Sequence, residues 1–419
     1  MPFDQNIFQK KMLNRTKIHN NIHFIFLMII VLLLPISMKA TNIFIVLLTA
    51  NFLIEGNFKS KKEIYKKDKY LWLFIFYYIT VLIGVLYSGD VYENVKRLEV
   101  TLPILIFPLL FSVHTHNKET ISKLLHVFVL GILILCFICT FSLGYNYTVN
   151  FIHRNNYNFI IRSLFDFITI HPTYFSMYLV FAMFIVFESK LLSDFFKLLL
   201  SAFFFTFLLL LATRISLIAF FFLLIFRVFF LKGIKVKWRD VLMAFFVGIG
   251  ILTLTLNISF TRDKIFDTLA YFDLVSENEI SDKGKGYHSS NRRIVIWTSA
   301  VEIIQENLLF GLGTGNSQEA LINKYKQKEF PYFQFNAHNQ YLQTTLEQGL
   351  FGLLALLISF FTAIFLAFKK KNHLYIIFCI LFIICCITES LLLRQKGVVF
   401  FALFNALFAF SNQENSLKG

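Results

Sequence analysis

Apolar runs long enough to cross a bilayer follow one another along most of this chain, and no other feature limits its fold so severely. A spanning helix needs about 17–25 such residues. Runs of this kind fall near 22–38, 41–56, 70–88, 99–113, 121–143, 171–188, 192–212, 214–231, 240–258, 348–368, 373–391 and 397–411, the second and last being marginal in length. Lipid offers no hydrogen bonds, so each segment must satisfy its own backbone. The expected fold is an all-α polytopic membrane protein with about 12 transmembrane helices. The stretch from Lys197 to Arg227 is too long for one helix and is interrupted by Ala212-Thr213-Arg214, which predicts a hairpin of two spans with Arg214 at its turn. Only 16% of residues are charged, against roughly a quarter in soluble domains, and an ordinary soluble protein is excluded.

One long polar stretch interrupts this pattern. The expected division is helices 1–9 over residues 1–258, a large, partly helical outer loop over 259–347, and helices 10–12 with a tail over 348–419. The net charge is +15, but placement decides its meaning. Lys10/Lys11/Arg15/Lys17, Lys59 to Lys69, Arg227 to Arg239 and Lys369-Lys370-Lys371 all fall on one side if the N-terminus is inside. The positive-inside rule then puts both termini in the cytoplasm and 259–347 outside, in the periplasm or its equivalent, and makes a nucleic-acid partner unnecessary. The first apolar run lacks a good cleavage site and reads as a retained anchor. All five cysteines sit in apolar runs and read as small buried hydrophobes. Cys136 and Cys139 have redox spacing but no basic neighbour to lower a thiol pKa.

Within the outer loop, Thr261 to Gly286 reads as flexible. Ser290-Asn291 can cap a helix carrying Arg293, Trp297, Ala300, Val301 and Ile304 on one face. Gly311, Gly313 and Gly315 form a reversal, and Asn316-x-x-Glu319 has the form of a capping box. Pro331 breaks the helix that follows, and Asn336 can cap a last one bearing His338, Tyr341, Leu342 and Thr345.

Several of these residues invite chemistry. Arg214 stands inside an apolar run, where an arginine either snorkels to headgroups or faces a polar cavity and meets an anion. Arg292 and Arg293 open a helix, where basic side chains oppose the dipole; either they are solvated loop residues or they join the helix N-terminus in holding a phosphate. His338 can accept a proton from a hydroxyl or serve a structural hydrogen bond. His171, in HPTY at an outer mouth, is a weaker version of the same case, and Arg97 is a further candidate for the anion site. The chain has no Asp-x-Asp, no His-Glu-x-x-His, no Walker lysine and no nucleophile elbow, so hydrolase, ATPase and nucleotide-sugar transferase readings lose support. A transporter or flippase would place charges at mid-membrane in several spans, whereas these candidates gather at the outer face.

Arg293-x-x-x-Trp297, Asn307-Leu-Leu-Phe-Gly-Leu-Gly-Thr-Gly315 and His338-Asn-Gln-Tyr-Leu…Glu347-x-Gly349, with Arg214 at the start of a span, resemble the O-antigen ligase and polymerase superfamily. The resemblance implies a GT-C-like inner-membrane glycosyltransferase with no cofactor and no metal. It implies a glycan donor on undecaprenyl diphosphate and an acceptor that is lipid A–core for a ligase, or a second lipid-linked glycan for a polymerase. Arg214 and Arg293 look like diphosphate-binding arginines, with Arg292 competing for the inward position, and His338 looks like the general base.

Overall fold

The computed structural model describes residues 5–149, 163–168, 170–231, 289–328, 330 and 334–411. The expected span at 240–258, the flexible reading of Thr261 to Gly286, the basic stretch after Leu231, Pro331 and most of the aromatic segment 144–170 lie outside the described residues.

Every regular element among the described residues is helical. Helices α1 (Gln5–Leu33), α2 (Met38–Glu55), α3 (Phe58–Lys67) and α4 (Lys69–Leu86) are followed by α5 (Val91–Thr101), α6 (Pro103–Val113) and α7 (Lys118–Val149). Then come α8 (Pro172–Glu188), α9 (Asp194–Leu211), α10 (Arg214–Phe230), α11 (Ser289–Glu306), α12 (Ser317–Gln327), α13 (Gln340–Lys369), α14 (His373–Cys385), a 3₁₀ turn at Leu391–Leu393, and α15 (Gln395–Ala409). Five of the described helices are long and apolar enough to cross a membrane: Met38–Glu55, Lys69–Leu86, Lys118–Asn146, Asp194–Leu211 and Gln340–Lys369. Four more are apolar but shorter: Lys17–Leu33, Pro172–Glu188, His373–Cys385 and Gln395–Ala409. The chain is therefore a multi-pass helical membrane protein, although the described residues do not reproduce a count of twelve.

Two of the differences have clear causes. The run at 99–113 does not form one span, because Pro103 supplies no backbone N–H and starts a new helix at its own N1 position. The resulting α6 has 11 residues and rises only about 16 Å at 1.5 Å per residue. The run at 373–391 also ends early. Helix α14 stops at Cys385, and residues 386–394 form an irregular, polar-bearing connection. The hairpin at Ala212-Thr213 forms as the apolar pattern requires, with Ala212 in the left-handed region (φ 47).

Two of the shorter helices lie inside the bundle. From Tyr174 to Val186 every residue of α8 is buried, and α15 is buried from Gly397 to Ala409. A helix that is apolar all round belongs in an interior. Rings of Phe128, Phe181 and Phe404 interlock there at centroid distances of 5.1–5.9 Å, within the range that favours aromatic pairs. The five cysteines are free and buried in apolar surroundings.

Gly349 interrupts α13 with φ 63, a conformation glycine adopts without steric cost. The break frees the carbonyls of Leu346 and Glu347, which accept the N–H groups of Leu312 and Gly313 at 2.8 and 3.0 Å. Leu350 N–H in turn donates to Leu308 O at 2.9 Å. A Cβ on Gly311 would stand 2.6 Å from the Gly349 nitrogen, so the backbones dock with no room for a side chain. The glycine-rich turn thus does more than reverse the chain. It fastens α11 and α12 to α13, and Thr314 fastens them to α4 through Gly84 O and Val81 O. Behind it Ile296, Ala300, Ile303, Leu321, Tyr325 and Leu346 form a second small core. On α11, Ile303 takes the buried place expected of Val301, which is exposed.

The other end of the bundle holds a histidine-rich knot. Lys369 Nζ lies 3.5 Å from Tyr70 OH, so α4 and α13 run antiparallel and their far ends meet near α3. There His114 Nε2 lies 3.1 Å from Glu55 Oε2, and Lys61 Nζ lies 2.9 Å from the same oxygen. His23 stacks between His114 and His116 at 4.6 and 5.5 Å.

Candidate functional site

Opposite that knot, the mouth of the bundle collects side chains from five segments around the connection 386–394. The start of α13 is laced to this connection by backbone geometry. Gln340 N–H donates to Cys386 O at 2.8 Å, Asn339 N–H to Ser390 Oγ at 3.2 Å, and Leu392 N–H to Gln340 Oε1 at 2.7 Å. Helix α13 begins at Gln340, capped by Asn339, whose side chain accepts from Tyr341 and Leu342 N–H. His338 therefore precedes the helix it was expected to open. It adopts the left-handed region (φ 43), uncommon for a residue with a side chain, and is held by its N–H to Asn336 Oδ1 at 2.8 Å. Such backbone outliers gather where function over-determines a conformation.

The His338 imidazole places Nδ1 3.4 Å from both carboxylate oxygens of Glu389. No described residue hydrogen-bonds Nε2. Arg293 approaches from the second turn of α11, with Nη2 donating to Thr388 O at 3.3 Å. One turn later Trp297 Nε1 donates to Ala337 O at 3.0 Å, so the Arg293-x-x-x-Trp297 spacing ties one helix to both walls of the site. Arg214, the first residue of α10, lies near enough for its charge to act on Arg293. His171 caps α8, its ring accepting from Thr173 N–H, and feels the charges of Glu389, His338 and Arg394.

Electrostatics follow from this crowding. Burial alone would raise the Glu389 pKa, but the hydrogen bond and charge of His338, with the charges of His171 and Arg293, outweigh it and hold the carboxyl below its ordinary value. Burial lowers the pKa of Arg293, Glu389 partly restores it, and Arg214 lowers it again. Burial likewise lowers that of His171, against the pull of Glu389.

Among the residues singled out from sequence, the fold brings Arg214, Arg293, His338 and His171 together. Arg97 is differently engaged. It is buried on α5, with Nη2 2.9 Å from Glu347 Oε2 and Nη1 donating to Leu392 O at 2.6 Å. Gln343 and Ser317 complete the pairing of Glu347. This closed pair departs from the expectation that Arg97 joins an anion site, because its charge is already met by a carboxylate. The side chain of Arg292 lies outside the described residues. Asn316 does not form the anticipated capping box; its backbone is helical, and its side chain bonds Ser88 Oγ and Leu312 O instead. Ser290 and Asn291 lie within α11, which starts at Ser289.

Glu389 was the residue sequence reasoning missed. Its signal was the one used for Arg214, an ionisable group in an apolar run, but it was absorbed into an expected span at 373–391.

A helical bundle whose polar chemistry gathers at one mouth defines a polytopic membrane protein with a basic, histidine-containing site. Its relationship is more specific. Residues 199–357 match the family model for O-antigen ligase, so this segment bears out the resemblance to the O-antigen ligase and polymerase superfamily, a family of membrane glycosyltransferase-like enzymes. Arg214, Arg293 and His338 fall within the match, whereas Glu389 and His171 fall outside it. A protein of Haemophilus influenzae described as uncharacterized is 28% identical over 177 residues, covering 39% of this chain. The chain spans 43% of that relative's length.

Proposed function

We propose that the chain is an O-antigen ligase-like glycosyltransferase, moving a glycan from undecaprenyl diphosphate to a hydroxyl of lipid A–core at the periplasmic face of the inner membrane, with both termini cytoplasmic and 259–347 as the outer lobe. The observation that carries this reading is the meeting of Arg214, Arg293 and His338 beside Glu389.

In this reaction the acceptor hydroxyl oxygen attacks the anomeric carbon from the face opposite the diphosphate. The carbon–oxygen bond to the diphosphate breaks, and the leaving group takes the bonding pair. Its growing negative charge is met by Arg214 and Arg293, and donors held in place before the reaction need little reorganisation. The hydroxyl proton passes to Nε2 of His338, while Glu389 at Nδ1 orients the ring and stabilises the imidazolium. Attack from the opposite face inverts the anomeric configuration. Two guanidinium groups supply the charge stabilisation, and the proposed transfer requires no metal.

Reconstituted protein, given a diphosphate-linked oligosaccharide and two acceptors, tests this directly. Product on lipid A–core is expected, and chelator should leave the rate unchanged. Product only on a second lipid-linked glycan would make the chain a polymerase. Translocation of the intact donor without transfer would make it a transporter.

A further inference from the structure

Next to the basic site, separated from it by the 334–343 and 393–394 segments, lies a cleft of ≈ 620 Å³ between α5 and α12. Its size falls in the range of small-molecule sites, roughly 300–1,000 Å³. We infer that this cleft is the acceptor-saccharide subsite, an inference that rests on the transferase reading above.

The lining sets the ligand class. Asp90, Glu93, Gln318, Glu319 and Gln334 present carboxylates and amides, which accept from and donate to sugar hydroxyls. Val100, Ile322 and Leu393 add apolar patches among these polar groups. Four of the charged groups in the lining are already closed, Glu93 with Lys96 at 2.7 Å and Arg97 with Glu347 at 2.9 Å, which leaves Glu319, Arg394 and the amides to meet hydroxyls. Neither Arg214 nor Arg293 lines the cleft, which keeps this ligand apart from the proposed diphosphate site.

The wall of the cleft touches the proposed base. Asn336, in the cleft wall, accepts the N–H of His338. Arg394, also in the wall, acts on His171, which itself feels His338 and Glu389. In this assignment the acceptor hydroxyl leaves the cleft past Asn336 to reach His338. A second cavity of ≈ 450 Å³ shares Asp90 and Glu319 with the first. Glu319 thus borders both cavities. Its exposed carboxylate forms no ion pair or hydrogen bond with the described residues, leaving it available to a ligand.

Two measurements test the assignment. In the reconstituted reaction, Glu319→Ala and Gln334→Ala should each raise acceptor KM about tenfold, the loss of one hydrogen bond to a ligand, while donor KM holds. Lipid A–core and a second lipid-linked glycan are assayed separately, and the acceptor whose KM moves is the one the cleft receives. Saturation-transfer NMR of detergent-solubilised protein with the matching water-soluble oligosaccharide should show contact in the wild type and lose it in both variants. The NMR experiment needs no turnover, so it separates a wrong cleft from a wrong reaction. Unchanged acceptor KM and undiminished NMR contact in folded variants would overturn the assignment.

Discussion

Two histidine–glutamate pairs sit at opposite ends of this bundle, and they are built for different ends. At the α3 end His114 lies 3.1 Å from Glu55, and Lys61 takes the same carboxylate oxygen at 2.9 Å while also donating to Phe52 O. Lys61 and Glu55 side chains are 4% and 6% exposed, so the charges close on each other out of water. At the mouth His338 lies 3.4 Å from Glu389 and is 23% exposed, with Arg293 and Arg214 adding positive charge at its side. The first pair is complete without a ligand. The second holds its imidazole by one nitrogen, leaves the other open, and surrounds a single described carboxylate with several cations. Shared residue types thus yield a rivet in one setting and a reaction centre in the other. What separates them is how many neighbours the fold brings, and of which sign.

The sharpest way to break this contrast is to remove each histidine. His338→Ala should slow transfer by roughly 10²–10⁴ and leave donor binding and thermal stability near wild type. His114→Ala should do the reverse, lowering the unfolding temperature while kcat stays intact. Equal kinetic effects from both variants would erase the distinction. Arg293→Ala should cost about 10²–10³ in kcat, the size seen when one preorganised donor to a leaving or developing oxyanion is lost, without loss of membrane insertion. Arg214→Ala should behave alike.

Lys61→Met probes the closed pair. It strands a buried carboxylate and should destabilise the protein by about 3–5 kcal/mol, read from unfolding in detergent, with transfer by the surviving folded protein unchanged. Lys61→Met combined with Glu55→Gln should recover part of that loss, because no uncompensated charge remains.

The mildest effect concerns pH. Burial, with a contribution from His114, holds His116 down at about 4, and burial also lowers His114 against the pull of Glu55. Both rings fold neutral, so the unfolded chain takes up protons first as pH drops below about 6.5. Stability is complete above that pH and is lost progressively toward 4. The unfolding temperature should fall across this window and fall less in His116→Phe; a flat profile from pH 7 to 4.5 would show that the knot does not govern acid stability.

Much of the local structure was legible in the residues themselves. Apolar runs specified a helical membrane protein because lipid leaves no alternative for the backbone. The Ala212-Thr213-Arg214 interruption marked a hairpin, and Gly311, Gly313 and Gly315 marked a sharp connection. The Gly349 break was legible only as a motif letter, since its purpose is to offer the Leu346 and Glu347 carbonyls to Leu312 and Gly313 in a distant turn. Arg97 and Arg214 looked alike in sequence. One found a glutamate 250 positions away, and no spacing rule reports such a partner.

The amino-acid order determined by itself which segments seek lipid, where charge is excluded, and which few polar residues had to be accounted for, because those are matters of transfer energy and periodicity along one stretch of chain. Tertiary structure alone decided that Glu389 stands behind His338, that Arg97 is neutralised by Glu347, and that a polar cleft opens beside the arginines. Those outcomes depend on which distant segments pack together, and electrostatic partnership is set by distance in space.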